Sequence, residues 1–236
     1  MNHRIFVAVF VCLFFSANGG LLHADDLVGA AWKSENVSLP EGKIAYIDPK
    51  EGAIYEVNLD GLVTWKYQIP SKIQDKGDMR KGADIEWLAE QDHFLFVVPG
   101  GGIYEVNRKK EIVWSYETDS VSHDADRLPN GNTIFVNAWD KEGDNQVVEI
   151  APDGKKVFEW KIADSGVSCD EKFTDCNRRN ERGRYEYTHV NGIQKFEDGS
   201  FLVSLRNLNT VVVIAKDLKV IGRHQRIRMV HDPRLE

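Results

Sequence analysis

Three histidines stand in similar local sequences, each with an aspartate or an asparagine close behind it. They are His123-Asp124, His189-Val190-Asn191 and His231-Asp232, and Arg206 lies on the predicted strand that follows the second of these. Imidazole serves as a nucleophile or as a general acid and base, while guanidinium and amide groups donate hydrogen bonds to an oxyanion. Together these residue types predict a site that transfers an anionic group.

Other chemistries have weaker support in the sequence. No two histidines have the spacing of a metalloprotease helix, no Gly-x-Ser-x-Gly elbow is present, and Gly100 to Gly102 stand in a turn before a strand and not before a helix. The Asp, Asn and Arg neighbours favour an anion over a metal, so neither a metal nor a cofactor is predicted. A structural role is the alternative for each His-Asp pair, which could bond a neighbouring strand or cap a turn.

The elements that must position these residues follow from an internal repeat. The segments "IYEVNLDGLVTWKY" (54–67) and "IYEVNRKKEIVWSY" (103–116) are nearly identical, and "VVEIAPDGKKVFEWKI" (147–162) and "VVVIAKDLKVIGRH" (211–224) are degenerate copies. Apolar and β-branched residues alternate on both sides of a turn in each segment, which predicts a β-hairpin. Without a polar insertion before the fourth copy, the period is about 40 to 50 residues, the length of a four-stranded propeller blade.

The chain is therefore predicted to be all-β, a β-propeller with four-stranded blades. Three strands of a first blade come from 43–67, and full blades come from 82–116, 122–162 and 188–224. The first strand of a propeller blade lies nearest the axis, so residues at equivalent positions of these strands are expected to converge on one pocket. A β-sandwich is the alternative, but it does not account for repeated units of four strands.

The end of the sequence repeats the opening of a blade. Val230-His231-Asp232 resembles Ser122-His123-Asp124, so another first strand is expected to begin there. This strand either completes the first blade of a four-bladed ring or starts further blades of a longer propeller. The second account is favoured, because the repeated motif stops before its Asn-Gly turn and a truncated ring leaves open strand edges.

Residues 1–24 are predicted to be a signal peptide, and 25–236 the propeller domain. Arg4 precedes an apolar run of 13 residues, which is too short to span a bilayer comfortably. The expected product is an exported protein, periplasmic or extracellular, with no integral membrane segment in its mature chain. An oxidising compartment favours a disulfide between Cys169 and Cys176, with two free thiols as the alternative.

The net charge of −7 argues against a nucleic-acid partner, which binds a basic face. A local arginine run interrupts the acidic balance, but acidic residues surround it and it is interpreted as a solvated loop. Its members are Arg178, Arg179, Arg182 and Arg184. The oligomeric state is not predicted by any feature of the chain.

The segments "SHDADRLPNGNTIFVNA", "THVNGIQKFEDGSFLVSLRNLNTVVVIAKDLKVIGR" and "VHDPRLE" together resemble the arylsulfate sulfotransferase family. The resemblance implies an exported, six-bladed propeller that moves a sulfo group from an aryl sulfate to a phenol through a sulfated histidine, without a nucleotide donor. It covers roughly residues 82–236, and its most specific part is His-x-Asn followed by a strand ending in Arg.

The resemblance also implies a role for each candidate residue. His189, Asn191 and Arg206 bind the sulfuryl oxygens, and His123 lines the pocket with the neighbouring Asp124. His231, beside Asp232, falls where the family has its transient sulfohistidine. A short disulfide loop in the family is similar to the Cys169–Cys176 segment.

Two other functions remain open. A propeller that presents a pocket or a rim to a protein or glycan ligand needs no catalytic histidine. A quinone-dependent propeller dehydrogenase carries tryptophan docking motifs, but here Trp65, Trp114 and Trp160 recur on the outer strands. Packing between blades is the interpretation favoured for these three tryptophans.

Overall fold

The structure is a computed structural model, and it describes residues 42–137, 139–140, 143–167, 183 and 187–225. These residues are mainly β-strands, with one short helix at Ser71–Gln74 and 3-10 turns at Met79–Lys81, Ile162–Ser165 and Arg206–Leu208. Over the same ranges, no helix has the length and the apolar character needed to cross a membrane.

The described residues divide into two compact units. The first unit contains those up to Tyr46 together with Tyr55–Lys66, and the second contains Ile47–Ile54 and those from Tyr67 onward. Strands β1 (Lys43–Asp48), β2 (Ala53–Asn58) and β3 (Val63–Gln68) form a three-stranded sheet in that order. Within the first unit, the buried carboxylate of Glu56 accepts hydrogen bonds from Lys43 Nζ at 2.7 Å and from Thr64 Oγ1 at 2.6 Å.

Three antiparallel sheets of four strands make up most of the second unit. The strands of blade A are β4 (Ile85–Leu88), β5 (His93–Val98), β6 (Gly102–Val106) and β7 (Ile112–Tyr116). Those of blade B are β8 (Ala125–Arg127), β9 (Thr133–Val136), β10 (Val147–Ile150) and β11 (Lys156–Trp160). Those of blade C are β12 (Val190–Lys195), β13 (Phe201–Leu205), β14 (Thr210–Ile214) and β15 (Val220–Gln225).

The predicted β-propeller fold is confirmed. Each blade is a meander in which consecutive strands are neighbours, and the four sheets contain the strands that the repeats predict. The hairpin turns also lie where the sequence places them. Asp153-Gly154 joins β10 to β11, for example, and Gly154 has the positive φ of 83° that such a turn requires.

Consecutive blades pack face to face through apolar side chains. Leu95, Val97 and Ile103 of blade A contact Phe135 and Ile150 of blade B in one core cluster. A second cluster joins blade B to blade C and contains Trp160, whose ring packs edge-on against Phe201. The tryptophans of the last strands thus lie between blades, which confirms the packing role predicted for Trp114 and Trp160.

Carboxylates on the first strands link one blade to the next. Asp84 Oδ2 accepts a hydrogen bond from the backbone N–H of Ala125 at 3.5 Å, and Glu86 Oε2 accepts one from that of Arg127 at 2.8 Å. Asp124 Oδ2 accepts one from the backbone N–H of Ile193 at 2.7 Å. Asp84 and Asp124 are therefore equivalent residues of successive blades.

Candidate active site

His189 occupies a distorted start of β12. Its backbone has φ of 47°, in the left-handed region that side chains other than glycine rarely adopt. Between Val190 and Gly192 the pairing of β12 with β13 shifts, which leaves Asn191 as the residue of a β-bulge. Both His189 and Asn191 are buried, at 6% and 5% exposure. This irregular segment points the imidazole of His189 away from the direction that a regular strand would give it.

Arg206 approaches His189 from the next strand. The sequence places it on that strand, whereas the structure places it just past the end of β13, in the 3-10 turn Arg206–Leu208. The turn is closed by Asn209 in a left-handed conformation, and the backbone N–H of Arg206 bonds the carbonyl oxygen of His189 at 3.3 Å. From there Arg206 Nη2 lies 2.8 Å from His189 Nδ1.

His123 meets the other side of the same imidazole. The Nε2 atoms of His123 and His189 are 2.9 Å apart, and the two rings are nearly parallel, with centroids 4.9 Å apart. We call His123 and His189 the histidine pair, and the pair together with Arg206 the anion site. The structure therefore brings together three of the residues that the sequence predicts for one site.

The donor and acceptor roles in this chain of contacts can be assigned from chemistry. A guanidinium only donates, so His189 Nδ1 must accept and the proton of a neutral His189 ring is on Nε2. That N–H donates to His123 Nε2, and His123 therefore carries its own proton on Nδ1. The described contact fits two neutral rings, since a proton on His123 Nε2 would set two donors against each other.

This assignment bears on the choice between an anion and a metal. A metal ligand must offer a nitrogen without a proton, and His189 Nε2 has its proton for as long as Arg206 donates to Nδ1. Across the described ranges, no group of three or more His, Cys, Asp or Glu side chains has a geometry that could hold a metal ion. An N–H on His189 and the N–H groups of Arg206 are, by contrast, what an oxyanion requires.

The repeat relationship of the two histidines differs from the one predicted. Because Asp84 bonds Ala125 and Asp124 bonds Ile193, Ala125 and Ile193 are equivalent, and His123 corresponds to Val190 once the bulge residue Asn191 is left out of the count. His189 lies upstream of that position and reaches His123 through the bulge and its left-handed backbone. The expectation that the histidines share one repeat position is therefore wrong for this pair, although their convergence is observed.

Asp124 is committed to the neighbouring blade through its bond to Ile193, which is the structural alternative considered for the His-Asp pairs. Blade A, which has no histidine before its first strand, has Asp84 in the same role. His231, Asp232, Cys169 and Cys176 lie outside the described residues, so their predicted roles stay predictions.

Two residues at the anion site had no signal in the sequence. Gly82, with φ of 90°, lies so close to His123 that a β-carbon placed on it would be 2.1 Å from His123 Nδ1. Asp140 is fully buried beneath Thr188 and His189 and accepts hydrogen bonds from both backbone N–H groups. A glycine before a strand and a carboxylate after one are common in any β-protein, so only the fold reveals their proximity to the histidines.

A cluster of acidic side chains lies on the first strands of blades A and B. Burial, together with the nearby charges of Asp126 and Asp84, raises the pKa of Glu86 to about 8 against the opposing effect of the Arg127 backbone bond. Glu86 is therefore largely protonated at neutral pH, which reduces the negative charge within this acidic cluster.

Comparison with known families supports the resemblance found from the sequence. A sequence model of the family described as arylsulfotransferase (ASST) matches residues 133–234. The match includes His189, Asn191, Arg206 and His231, and it begins after His123. The chain is thus similar to the arylsulfotransferase family over this part of its length. No curated protein matches it in sequence.

Several solved structures have a similar course of the backbone. A protein of unknown function from Bacteroides caccae is 16% identical, with a TM-score of 0.48, and the alignment covers 79% of this chain and 57% of that one. Virginiamycin B lyase from Staphylococcus aureus is 18% identical, with a TM-score of 0.48 and coverage of 83% and 71%. BamB from Moraxella catarrhalis is 14% identical, with a TM-score of 0.44 and coverage of 84% and 63%.

No activity is inferred from these structural similarities. The chain spans little more than half the length of the Bacteroides caccae protein.

Proposed function

We propose that this chain is an exported sulfotransferase, which moves a sulfo group from an aryl sulfate to a phenol through a sulfated His231. The observation that carries the proposal is the continuous contact from Arg206 to His189 and from His189 to His123. Two members of this chain of contacts lie within the part that matches the arylsulfotransferase family. Export by a signal peptide at 1–24 and a Cys169–Cys176 disulfide belong to the same proposal.

The anion site is suited to receive a sulfuryl group because its donors can be released to a ligand. The contact within the histidine pair joins two neutral rings, so separating the rings leaves no unpaired charge. A bound sulfate ester favours a protonated histidine, and protonation turns His123 Nε2 into a donor that no longer fits against His189. Both imidazoles and Arg206 then donate to the anion, with the Asn191 amide beside them.

The reaction follows as two displacements at sulfur. A ring nitrogen of His231 forms a bond to sulfur while the bond from sulfur to the aryl oxygen breaks. That oxygen keeps the electron pair and takes a proton from His123 or His189. An incoming phenol next gives its proton to the same histidine, its oxygen bonds sulfur, and the sulfur–nitrogen bond breaks to restore His231.

Arg206, Asn191 and His189 stabilise the charge on the sulfuryl oxygens in both steps, and no cofactor takes part. The kinetics are of the ping-pong type, with the sulfated enzyme between the two steps.

The experiment is a transfer assay on the full-length protein with 4-nitrophenyl sulfate as donor and phenol as acceptor. We expect phenol-dependent release of nitrophenolate, and a peptide containing His231 that carries one sulfo group when the acceptor is left out. His231→Ala and His189→Ala abolish transfer, whereas His93→Gln, which changes a histidine bonded to Glu105, retains it. Full turnover in His231→Ala would overturn the covalent mechanism.

A second candidate is a non-catalytic module that binds a protein or glycan ligand. Asp124 favours it, because this carboxylate serves the link to Ile193. Such a module binds a sulfated ligand through Arg206 and the histidine pair without releasing phenol. Calorimetric binding of an aryl sulfate together with an absence of turnover would select it over the transferase.

A further inference from the structure

Asp140 lies on the connection after β9, outside the set of residues that the sequence assigns to the site. We infer that Asp140 is a positioning residue, whose carboxylate holds the left-handed backbone of His189 and so aims its imidazole at Arg206 and His123. Its effect on catalysis rests on the proposed function, whereas its effect on His189 does not.

The carboxylate of Asp140 is surrounded by donors. Oδ1 accepts the backbone N–H groups of Thr188 at 3.1 Å and His189 at 3.3 Å. Oδ2 accepts the hydroxyl of Thr188 at 2.6 Å and the side-chain amide of Gln146 at 2.9 Å. The main-chain carbonyl of Asp140 also accepts the N–H of Tyr187 at 2.9 Å. Asp140 thus fixes three consecutive residues that end at His189.

Two successive N–H groups directed at one carboxylate are an anion-binding concavity of the backbone. A left-handed conformation is unfavourable for a residue such as histidine, and it persists only where the surroundings impose it. At His189 the bonds to Asp140 supply that constraint on one side, and the bond from Arg206 N–H to the His189 carbonyl supplies it on the other. Without the carboxylate, the N–H of Thr188 and that of His189 lose a buried acceptor, and the backbone can relax toward an extended strand.

Gln146 makes the requirement for a carboxylate strict. Its Oε1 accepts the backbone N–H of Ile162 at 2.7 Å, so its amide nitrogen must face Asp140. Asn at position 140 would set its own amide nitrogen against that of Gln146 or remove the acceptor for the two N–H groups. Burial raises the pKa of Asp140 to about 6, although the four donated bonds oppose this rise. The group is therefore mainly ionised at neutral pH and accepts through both oxygens.

The test compares Asp140→Asn with a matched control, Asp198→Asn. Asp198 likewise accepts a backbone N–H and a hydroxyl, both from Ser200, but in an exposed turn between β12 and β13. The nitrogen chemical shifts of the histidine rings in the full-length protein at neutral pH report the tautomers without any substrate. In the parent protein we expect an unprotonated Nδ1 and a protonated Nε2 at His189.

We expect Asp140→Asn to lose this signature of His189 and Asp198→Asn to keep it. Because Asp140→Asn is expected to displace the imidazole of His189, we expect its kcat/KM to fall about tenfold to a hundredfold, mainly through kcat. Parent-like His189 shifts in folded Asp140→Asn would overturn the inference. If transfer is absent from the parent protein as well, the proposed function fails, and the ring shifts still decide the role of Asp140.

A second variant covers the case in which Asp140→Asn does not fold. Thr188→Val removes only the hydroxyl donor of the 2.6 Å bond, and Thr188→Ser keeps it. We expect the His189 signals to shift in Thr188→Val and to return to the parent values in Thr188→Ser. Identical signals in all three proteins would contradict the inference.

Discussion

The starts and the ends of β8 and β12 differ in how they use polar side chains. At their last residues, which we call the far ends, Arg127 bonds Glu105 at 2.9 Å, and Lys195 bonds Glu149. At their starts, which we call the near ends, His123 contacts His189, and Arg206 donates to a neutral ring nitrogen. The far ends pair opposite charges on a regular backbone, whereas at the near ends a guanidinium donates to a neutral imidazole on a strained backbone.

The far ends show what a purely structural use of these residue types looks like. Glu105 also contacts His93 Nδ1 at 2.6 Å, and the guanidinium of Arg127 lies 4.5 Å from the centre of the Trp114 ring. Asn132 completes the equivalent cluster by donating to Glu149 at 2.7 Å. Breaking such a pair leaves a buried charge, which makes exchange with a ligand costly. A guanidinium bonded to neutral groups exchanges those contacts for an anion at a smaller cost.

The sharpest test of this comparison is Arg206→Gln. In the proposed mechanism Arg206 donates to the sulfuryl oxygens, so its removal should lower kcat/KM by about a hundredfold to a thousandfold. Because the described bonds of the Arg206 side chain are to the neutral groups of His189 and Asn207, we expect the free energy of unfolding to change by less than about 1 kcal/mol. Transfer kinetics and chemical denaturation of the same preparation measure both. A variant with full activity would remove Arg206 from the site.

The pH dependence of stability tests whether Glu86 is protonated within the acidic cluster of the first strands. Its folded pKa of about 8 lies above its ordinary value of 4.5, so the folded protein binds the extra proton between these limits. The free energy of unfolding should therefore fall as the pH rises from about 5 to 9, by on the order of 4 kcal/mol.

Glu86→Gln carries no titrating group and should flatten this part of the stability curve. Denaturant titrations of both proteins at several pH values measure the difference. An equal fall with pH in both would show that Glu86 is ionised in the folded protein at neutral pH.

Arg127→Gln is the counterpart of Arg206→Gln at the far end. Loss of the pairing with Glu105 should lower the free energy of unfolding by about 2 kcal/mol or more. We expect kcat/KM to stay within about twofold of the parent value, because the change removes no donor from the anion site. A large loss of activity with unchanged stability would erase the distinction between the two ends.

Gly82→Ala should have a smaller but specific effect. The added methyl group would collide with His123 Nδ1 and displace the ring from His189, so we expect kcat/KM to fall about tenfold. Gly143→Ala is the matched control, since Gly143 has a similar φ of 92° and, among the described residues beyond its chain neighbours, no atom lies within 4 Å of the position that an added methyl group would take. Both variants bear the same backbone strain, so equal losses of activity would assign the effect to strain alone.

Much of the fold could be predicted because the repeats encode it redundantly. Each hairpin has its own alternating pattern and turn, and the repeated Glu of β2, β6 and β10 marks the same position in three sheets. An error in one copy is corrected by the others. The residue types of the anion site could also be predicted, because His and Arg beside predicted strands are chemically distinctive.

The geometry of the site could not be predicted for the opposite reason. Among the described first strands, the register shift at Asn191 occurs in β12 and not in β4 or β8, so the repeat does not predict it. Asp140 lies next to His189 and Gly82 next to His123 in the fold, but neither pair is adjacent in the sequence. Arg206 follows an apolar run without a break in pattern, so its place in a 3-10 turn has no sequence signal.

The bulge in β12 has a consequence for how repeated folds acquire new activities. Duplication of a blade copies every side chain into the same place, which by itself yields symmetry and nothing new. One extra residue at the start of one copy breaks that symmetry locally, because it brings a side chain from outside the repeated set to face a residue within it. The rest of the blade keeps its packing, so novelty of this kind can arise without rebuilding the scaffold.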